Sequence, residues 1–181
     1  SRLFQSVLGL LPVAAVPLAC CAMLAFMVSQ GMEGGAAKKL RKDYWAKNLK
    51  SWLGAPLPDV ARADIRLDLK PADKWLSSKG TLTLVNGLDT TLTQLPLTGG
   101  LHWEKLSWTM NGKPYKPEDR LRLYVFTPPA PLAKGDSVVV GWSWEGRYPN
   151  GITKNGGGTP EFVLPSGVVL TGFSPSFMPV L

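Results

Sequence analysis

The side chains able to do chemistry in this chain are few and poorly spaced for it. Its 181 residues contain one histidine, His102. A zinc hydrolase needs about three N, O or S ligands and a carboxylate base, usually with two histidines one helical turn apart, and one histidine does not supply this. Serine or cysteine nucleophiles need a base held by a third group, and no motif surrounds His102, which sits beside Trp103 and reads as a strand histidine. Cys20 and Cys21 are adjacent within an apolar run, a spacing that fits neither a disulfide framework nor a metal site. The run Gly151-Ile-Thr-Lys-Asn-Gly-Gly-Gly158 resembles a phosphate cradle, but its lysine precedes the glycines and Pro160 follows, so a long hairpin or a close backbone contact is the better reading. Asp64 with Asp68, or Glu104 with Glu145, could form carboxylate pairs, although nothing in their spacing sets the separation that glycosidase chemistry requires. Trp142 and Trp144 share one face of an expected strand, as sugar-binding platforms do and, more often, as sandwich cores do. The expectation is a chain with no catalytic residue and no metal ligands of its own.

The elements that position these residues fall into contrasting parts. Leu3 to Met32 has no charged side chain and is dominated by Leu, Val, Ala, Met and Phe. Roughly 20 apolar residues cross a bilayer core, so a membrane helix is expected within residues 1–32, from about Val7 to Gln30, with Pro12 and Pro17 as kinks satisfied by neighbouring helices. A secretory signal peptide would have a shorter apolar core and a stronger positive start than Arg2. A lipoprotein signal ending at Cys20 would not continue past the cysteine. Residues 33–54 place Leu40, Tyr44, Trp45, Leu49, Trp52 and Leu53 at helical spacing among lysines. This predicts a basic amphipathic juxtamembrane helix, either interfacial, with Lys38, Lys39, Arg41, Lys42, Trp45 and Trp52 at the membrane surface, or a solvated stalk docked on a C-terminal β module. Six basic against two acidic residues between Glu33 and Leu53 hold most of the formal net charge of +7, so the remainder is near neutral and a nucleic-acid partner is not expected.

Residues 55–62 read as a linker, because Pro56 and Pro58 break the helix. From Ala63 the apolar period changes to two. Ile65, Leu67 and Leu69 alternate with Arg66, Asp68 and Lys70, and Leu82 and Leu84 alternate with Thr81 and Thr83. Further strands are predicted over Thr90 to Leu97, His102 to Met110, Arg120 to Thr127 and Ser137 to Glu145, with turns at Asn86-Gly87, Gly99-Gly100, Asn111-Gly112 and Gly135-Asp136. Residues 63–181 are therefore expected to form an all-β antiparallel sandwich. Beyond Glu161 there is no charge through Leu181, and this end is expected to bury itself against protein outside the chain, as it would if the module were truncated.

Asp64-Ile-Arg-Leu-Asp-Leu-Lys-Pro71 followed by Gly80-Thr-Leu-Thr-Leu-Val-Asn86 resembles the opening of the N-terminal β domain of the gluzincin aminopeptidases, the aminopeptidase N family. Gly146-Arg-Tyr-Pro-Asn-Gly-Ile-Thr-Lys-Asn-Gly-Gly-Gly158, Glu161-Phe-Val-Leu-Pro-Ser-Gly-Val-Val-Leu-Thr171 and Phe173-Ser-Pro-Ser-Phe177 are similar to a bacterial subgroup in which a peptidase-like ectodomain is fused to an ABC transporter permease. Asp43-Tyr44 and the link at Pro56 and Pro58 fit that subgroup's stalk. The resemblance covers about Leu40 to Leu181.

The resemblance implies the non-catalytic N-terminal portion of a permease-linked, peptidase-like protein, in which a zinc-binding domain outside this chain carries the His-Glu-x-x-His helix. Zinc would be that domain's cofactor, with none in this segment. The implied partners are the lipid bilayer, other transmembrane helices, the adjacent peptidase-like domain and an ABC ATPase subunit. The implied location is the bacterial inner membrane with the β module in the periplasm. Thr171, Gly172 and Phe173 occupy the stretch that lies near the substrate in the family. Gly172 replaces the glutamine that binds the substrate's amino end there, and Ser174 replaces a glutamate, so aminopeptidase specificity does not carry over. The alternative is an extracytoplasmic peptide- or partner-binding module of a transporter, without peptidase activity.

Overall fold

The computed structural model describes residues 2–29, 35–73, 75–100, 102–147, 162–164, 167–169, 172–173 and 175–181, with the backbone alone for 2–12, 36, 37, 40, 41, 44, 49, 162–164 and 169. Two helices, α1 (Arg2–Ser29) and α2 (Gly35–Trp52), precede the strands β1 (Asp59–Lys70), β2 (Trp75–Val85), β3 (Leu95–Thr98), β4 (Glu104–Met110), β5 (Lys113–Tyr115), β6 (Glu118–Arg120), β7 (Leu123–Phe126), β8 (Ser137–Arg147), β9 (Phe162–Leu164) and β10 (Gly167–Val169).

Two expectations about the N-terminal part are overturned. Among the described residues no helix is long and apolar enough to cross a membrane. The membrane helix is withdrawn, and the inner-membrane location that rested on it falls too. The side chains of Leu40, Tyr44 and Leu49, on which the amphipathic reading of α2 partly rests, lie outside the described residues. Lys38, Lys39 and Lys42 are exposed, Trp45 and Trp52 are half-buried, and the Arg41 side chain lies outside the described residues.

Among the described residues beyond Pro58 every strand pairing is antiparallel. A five-stranded sheet runs β1-β2-β8-β4-β5, and a three-stranded sheet runs β3-β7-β6. Alternation fixes the inward faces: Leu76, Ser78, Leu82 and Leu84 on β2, and Val138, Val140, Trp142 and Trp144 on β8, are all buried. Their partners on the smaller sheet are Leu95, Leu97, Tyr124 and Phe126, and both sets belong to one continuous core. Trp108 joins the layers, its ring centroid 4.9 Å from Tyr124 and 5.2 Å from Phe126. Trp142 and Trp144 are 3% and 2% exposed, which makes them core and not a sugar platform. The Trp142 indole donates to Ser78 Oγ at 2.9 Å, so the one hydroxyl on the inward face of β2 is satisfied.

The hairpin turns differ in strain. Asn111 and Gly112, at φ 50° and 76°, close β4 onto β5 with the Asn-Gly pair that a type I′ turn favours. The β6–β7 turn also has two positive-φ residues, Leu121 at 53° and Arg122 at 72°, with neither glycine nor asparagine. A left-handed backbone costs an ordinary L-residue about 1–2 kcal/mol, and asparagine tolerates it better. Leu121→Asn, at a position 44% exposed, is therefore expected to stabilise the fold by about 1 kcal/mol in urea unfolding. No gain would show that the turn is not strained in solution.

Candidate functional site

The end of the sandwich where β8 meets the C-terminal segment gathers His102, Trp103, Trp144 and Phe177. Trp103 stacks on Trp144 at 5.1 Å and 10° between planes, and His102 meets Trp144 edge-on at 5.2 Å. The indole of Trp144 donates to the carbonyl of Phe177 at 3.3 Å. His102 Nε2 lies 2.8 Å from the carbonyl of Ser176, an acceptor only, so this nitrogen carries the proton. This bond ties His102 to the segment 175–181. Thr98 and Val180 exchange backbone hydrogen bonds at 2.7 and 3.1 Å.

Glycine makes the close approach possible. A Cβ at Gly100 would collide with the Pro175 carbonyl and stand 2.5 Å from Trp103 Nε1, and one at Gly146 would collide with the His102 carbonyl. The uncharged end was expected to bury itself against protein outside the chain. Its last part instead completes this chain's own core, with Phe177 and Met178 only 5% and 6% exposed.

Of the three residues expected near a substrate, Thr171 lies outside the described residues. Gly172 is exposed, and a Cβ added there meets nothing within 4 Å. Phe173 is 77% exposed, its ring tilted 6.3 Å from that of Phe177. Neither packing nor backbone angle demands glycine at 172. Gly172→Gln is expected to leave stability within about 0.5 kcal/mol, read by the same unfolding assay, and a larger loss would show a packing role there.

The proposed carboxylate pairs separate into two cases. Glu104 and Glu145 lie opposite each other on β4 and β8, where Lys105 forms an ion pair with Glu145. Hydrogen bonding to Glu145 holds the Lys105 ammonium above its ordinary range, with further attraction from Glu145 and Glu104. Lys105 engages Glu145, Glu104 is exposed, and the site is open to solvent, a poor setting for general acid–base work. Asp64 is engaged by Arg62 at 2.7 and 3.1 Å, and that hydrogen bond holds its carboxyl below the usual range. Asp68 stands across from Ser77 in the ladder. Among the described residues no three His, Cys, Asp or Glu side chains gather to hold a metal. The glycine-rich run 151–158 lies outside the described residues.

One further feature carries little sequence signal. Between the edges of the two sheets, where Lys116 and Pro117 carry the chain from β5 to β6, a cleft is lined by Trp108, Tyr115 and Tyr124 with Pro114, Arg122 and Asp119 among its walls. Burial pushes the Tyr124 phenol above its ordinary range, and a 3.0 Å hydrogen bond from Arg122 Nη1 pulls it partly back. Tyr115 Oη is held by both the N–H and the carbonyl of Thr127, each at 3.0 Å. The Trp108 indole N–H is buried without a partner, at a cost of about 1–3 kcal/mol. The strands expected over His102 to Met110 and Arg120 to Thr127 contain Trp108 and Tyr124, and both rings are buried in the core.

No protein-family model matches the chain, and no curated protein matches it. Among solved structures, an M1 zinc metallopeptidase mutant from Deinococcus radiodurans bound to a Tyr-Ser-Ala substrate aligns at 23% identity and TM-score 0.43, over 49% of this chain and 20% of that one. The M1 zinc metallopeptidase from Deinococcus radiodurans without that mutation aligns at 22% identity and TM-score 0.42, with the same coverage of each chain. The aligned part thus spans a fifth of the length of those metallopeptidases.

Proposed function

We propose that this chain is the non-catalytic β portion of a larger peptidase-like protein, docking and positioning a zinc metallopeptidase-like domain that lies outside it. The observation that carries the reading is Phe173, a large apolar ring 77% exposed beside a segment held to the core by Trp144, His102 and Thr98. A rigid base under an exposed aromatic residue suits an interface anchor. Two strands that carry the aminopeptidase-like motifs, Asp64–Pro71 and Gly80–Asn86, pair directly as β1 and β2, which supports the same reading. Permease linkage is part of the proposal as a property of the parent protein, supported by the sequence resemblance alone.

The test compares the parent protein with its Phe173→Glu variant. Zinc-dependent peptide hydrolysis is expected to fall at least about tenfold, as loss of a central aromatic anchor would cause, while the unfolding of the β module stays unchanged. Unchanged hydrolysis in Phe173→Glu, or a parent protein that has no zinc-dependent activity, overturns the proposal. A second reading, a peptide-binding module without peptidase activity, is favoured by the aromatic cleft and by the absence of a side chain at Gly172.

A further inference from the structure

We infer that the free edge of β1 is a self-association site, on which a second copy of this chain lays its own β1 antiparallel, with Ile65 opposite Ile65 on the two-fold axis; the inference does not depend on the docking role of Phe173.

β1 is the outermost strand of the five-stranded sheet, and among the described residues β2 is its one neighbour in that sheet. Its other edge therefore presents backbone N–H and C=O groups without strand partners, a template for one more strand. The ladder slips between Val60 and Arg62, so the regular part of the edge runs from Arg62 to the end of β1 at Lys70.

The side chains say which strand fits. Arg62, Asp64, Arg66 and Asp68 share one face, all exposed and alternating in sign, while Ala63, Ile65 and Leu67 share the other, with Ile65 and Leu67 packed on the core. In an antiparallel pair turned about Ile65, Arg62 faces Asp68 of the second copy and Asp64 faces Arg66, and symmetry makes each pair occur twice. On the core face Ala63 meets Leu67, small against large, and Ile65 meets its copy. Moving the axis to Asp64 sets Arg62 against Arg66, and moving it to Arg66 sets Asp64 against Asp68, both repulsive. An axis at Leu67 restores the alternation but draws in Lys70, which lies over the Trp75 ring at 4.8 Å, and sets Arg62 opposite Ala72, beyond the end of the strand. Charges on an edge strand guard against pairing in general. Here their order excludes the like-charged registers and leaves the one centred on Ile65.

A second observation lies within the sheet. Arg66 stands directly opposite Lys79 in the β1–β2 ladder, both exposed, and like charges so placed are destabilising. Among the described residues neither Arg66 nor Asp68 takes part in an ion pair, whereas Arg62 engages Asp64 at 2.7 Å. Asp64 of the second copy supplies the negative charge that Arg66 and Lys79 lack. A carboxylate accepts from more than one guanidinium, so Arg62 need not be displaced.

The test is sedimentation velocity of the full chain, unaltered and as Asp64→Arg and Arg66→Asp, each alone and in equimolar mixture. The unaltered chain is expected to dimerise with half-association below about 100 µM. Either reversal alone sets like charges opposite each other in both symmetry-related pairs, and is expected to weaken dimerisation at least about tenfold. The mixture is expected to recover to within about threefold of the unaltered chain, because each variant supplies the charge the other needs. Arg62→Asp with Asp68→Arg gives the same test at the outer positions if either first variant fails to fold. A chain that stays monomeric up to about 1 mM overturns the assignment. So does dimerisation insensitive to both reversals, as pairing through α1 or another face would give, or a mixture that associates no more tightly than its components.

Discussion

Asn86→Ala is expected to lower the unfolding free energy by about 3 kcal/mol, although it removes only a small polar side chain. Asn86 is fully buried and its amide ties three stretches of chain together. Nδ2 donates to the carbonyls of Thr90 and Leu132, both at 2.8 Å, and Oδ1 accepts the N–H of Leu88 at 3.0 Å. Its backbone is also engaged, with its N–H on the Asp136 carbonyl at 2.9 Å and its carbonyl on the Gly135 N–H at 2.7 Å. Each lost side-chain bond is worth about 1 kcal/mol net, and groups left unpaired in the interior add to that. Asn86→Asp should cost at least as much, because it turns a donor between two carbonyls into an acceptor and buries a charge. Urea unfolding followed by tryptophan fluorescence measures both variants. A loss under 1 kcal/mol for Asn86→Ala would falsify this account of the loop.

Asn86 also shows how far the sequence could be read. Asn86-Gly87 marked a turn, and the end of β2 at Val85 bears out a break there. That the side chain clasps Leu132, 46 residues away, depends on tertiary placement that no local pattern encodes. Alternation located β4 and β8 to within a few residues, because one face of each is buried and a one-residue slip would expose it, whereas it marked β2 only from Thr81 although that strand begins at Trp75. It put the start of the third strand too early. Thr90 to Thr93 forms only an isolated bridge, Leu92 with Leu132, and the ladder begins at Leu95.

Hydropathy served less well at both ends. The apolar N-terminal run was read by composition alone, and among the described residues it yields a helix that does not meet the requirements of a span. The uncharged C-terminal end was read as a surface for another protein, whereas Phe177 and Met178 fill this chain's core. In each case apolarity says that a segment avoids water and leaves open what covers it. Only part of the candidate site was legible. Gly172 and Phe173 came from a family resemblance. The aromatic cleft arises where two sheet edges meet across Lys116 and Pro117, and strand periodicity carries no information about edges.

The second large effect is expected at Trp144, where core packing and presentation of the candidate interface meet. Trp144→Ala should cost about 3–5 kcal/mol, the usual range when a buried tryptophan is truncated and its cavity only partly collapses. The ring is 2% exposed, stacked on Trp103 and edge-on to His102, so its loss removes partners from both. It also removes the donor to the Phe177 carbonyl, one of the ties that hold segment 175–181 against the sheet. The amides of Thr98 and Val180, which bond each other's carbonyls, should then exchange with solvent faster than the rest of the fold once the global loss is subtracted. Trp144→Phe separates the two contributions, since it keeps an aromatic ring and loses the indole donor. Its stability loss should be smaller, while the excess exchange at Thr98 and Val180 persists. If Trp144→Ala slows or leaves unchanged the exchange at those two amides relative to β2 and β8, the indole bond does not hold the segment, and the rigid base inferred beneath Phe173 must come from His102 and the Thr98–Val180 bridge alone.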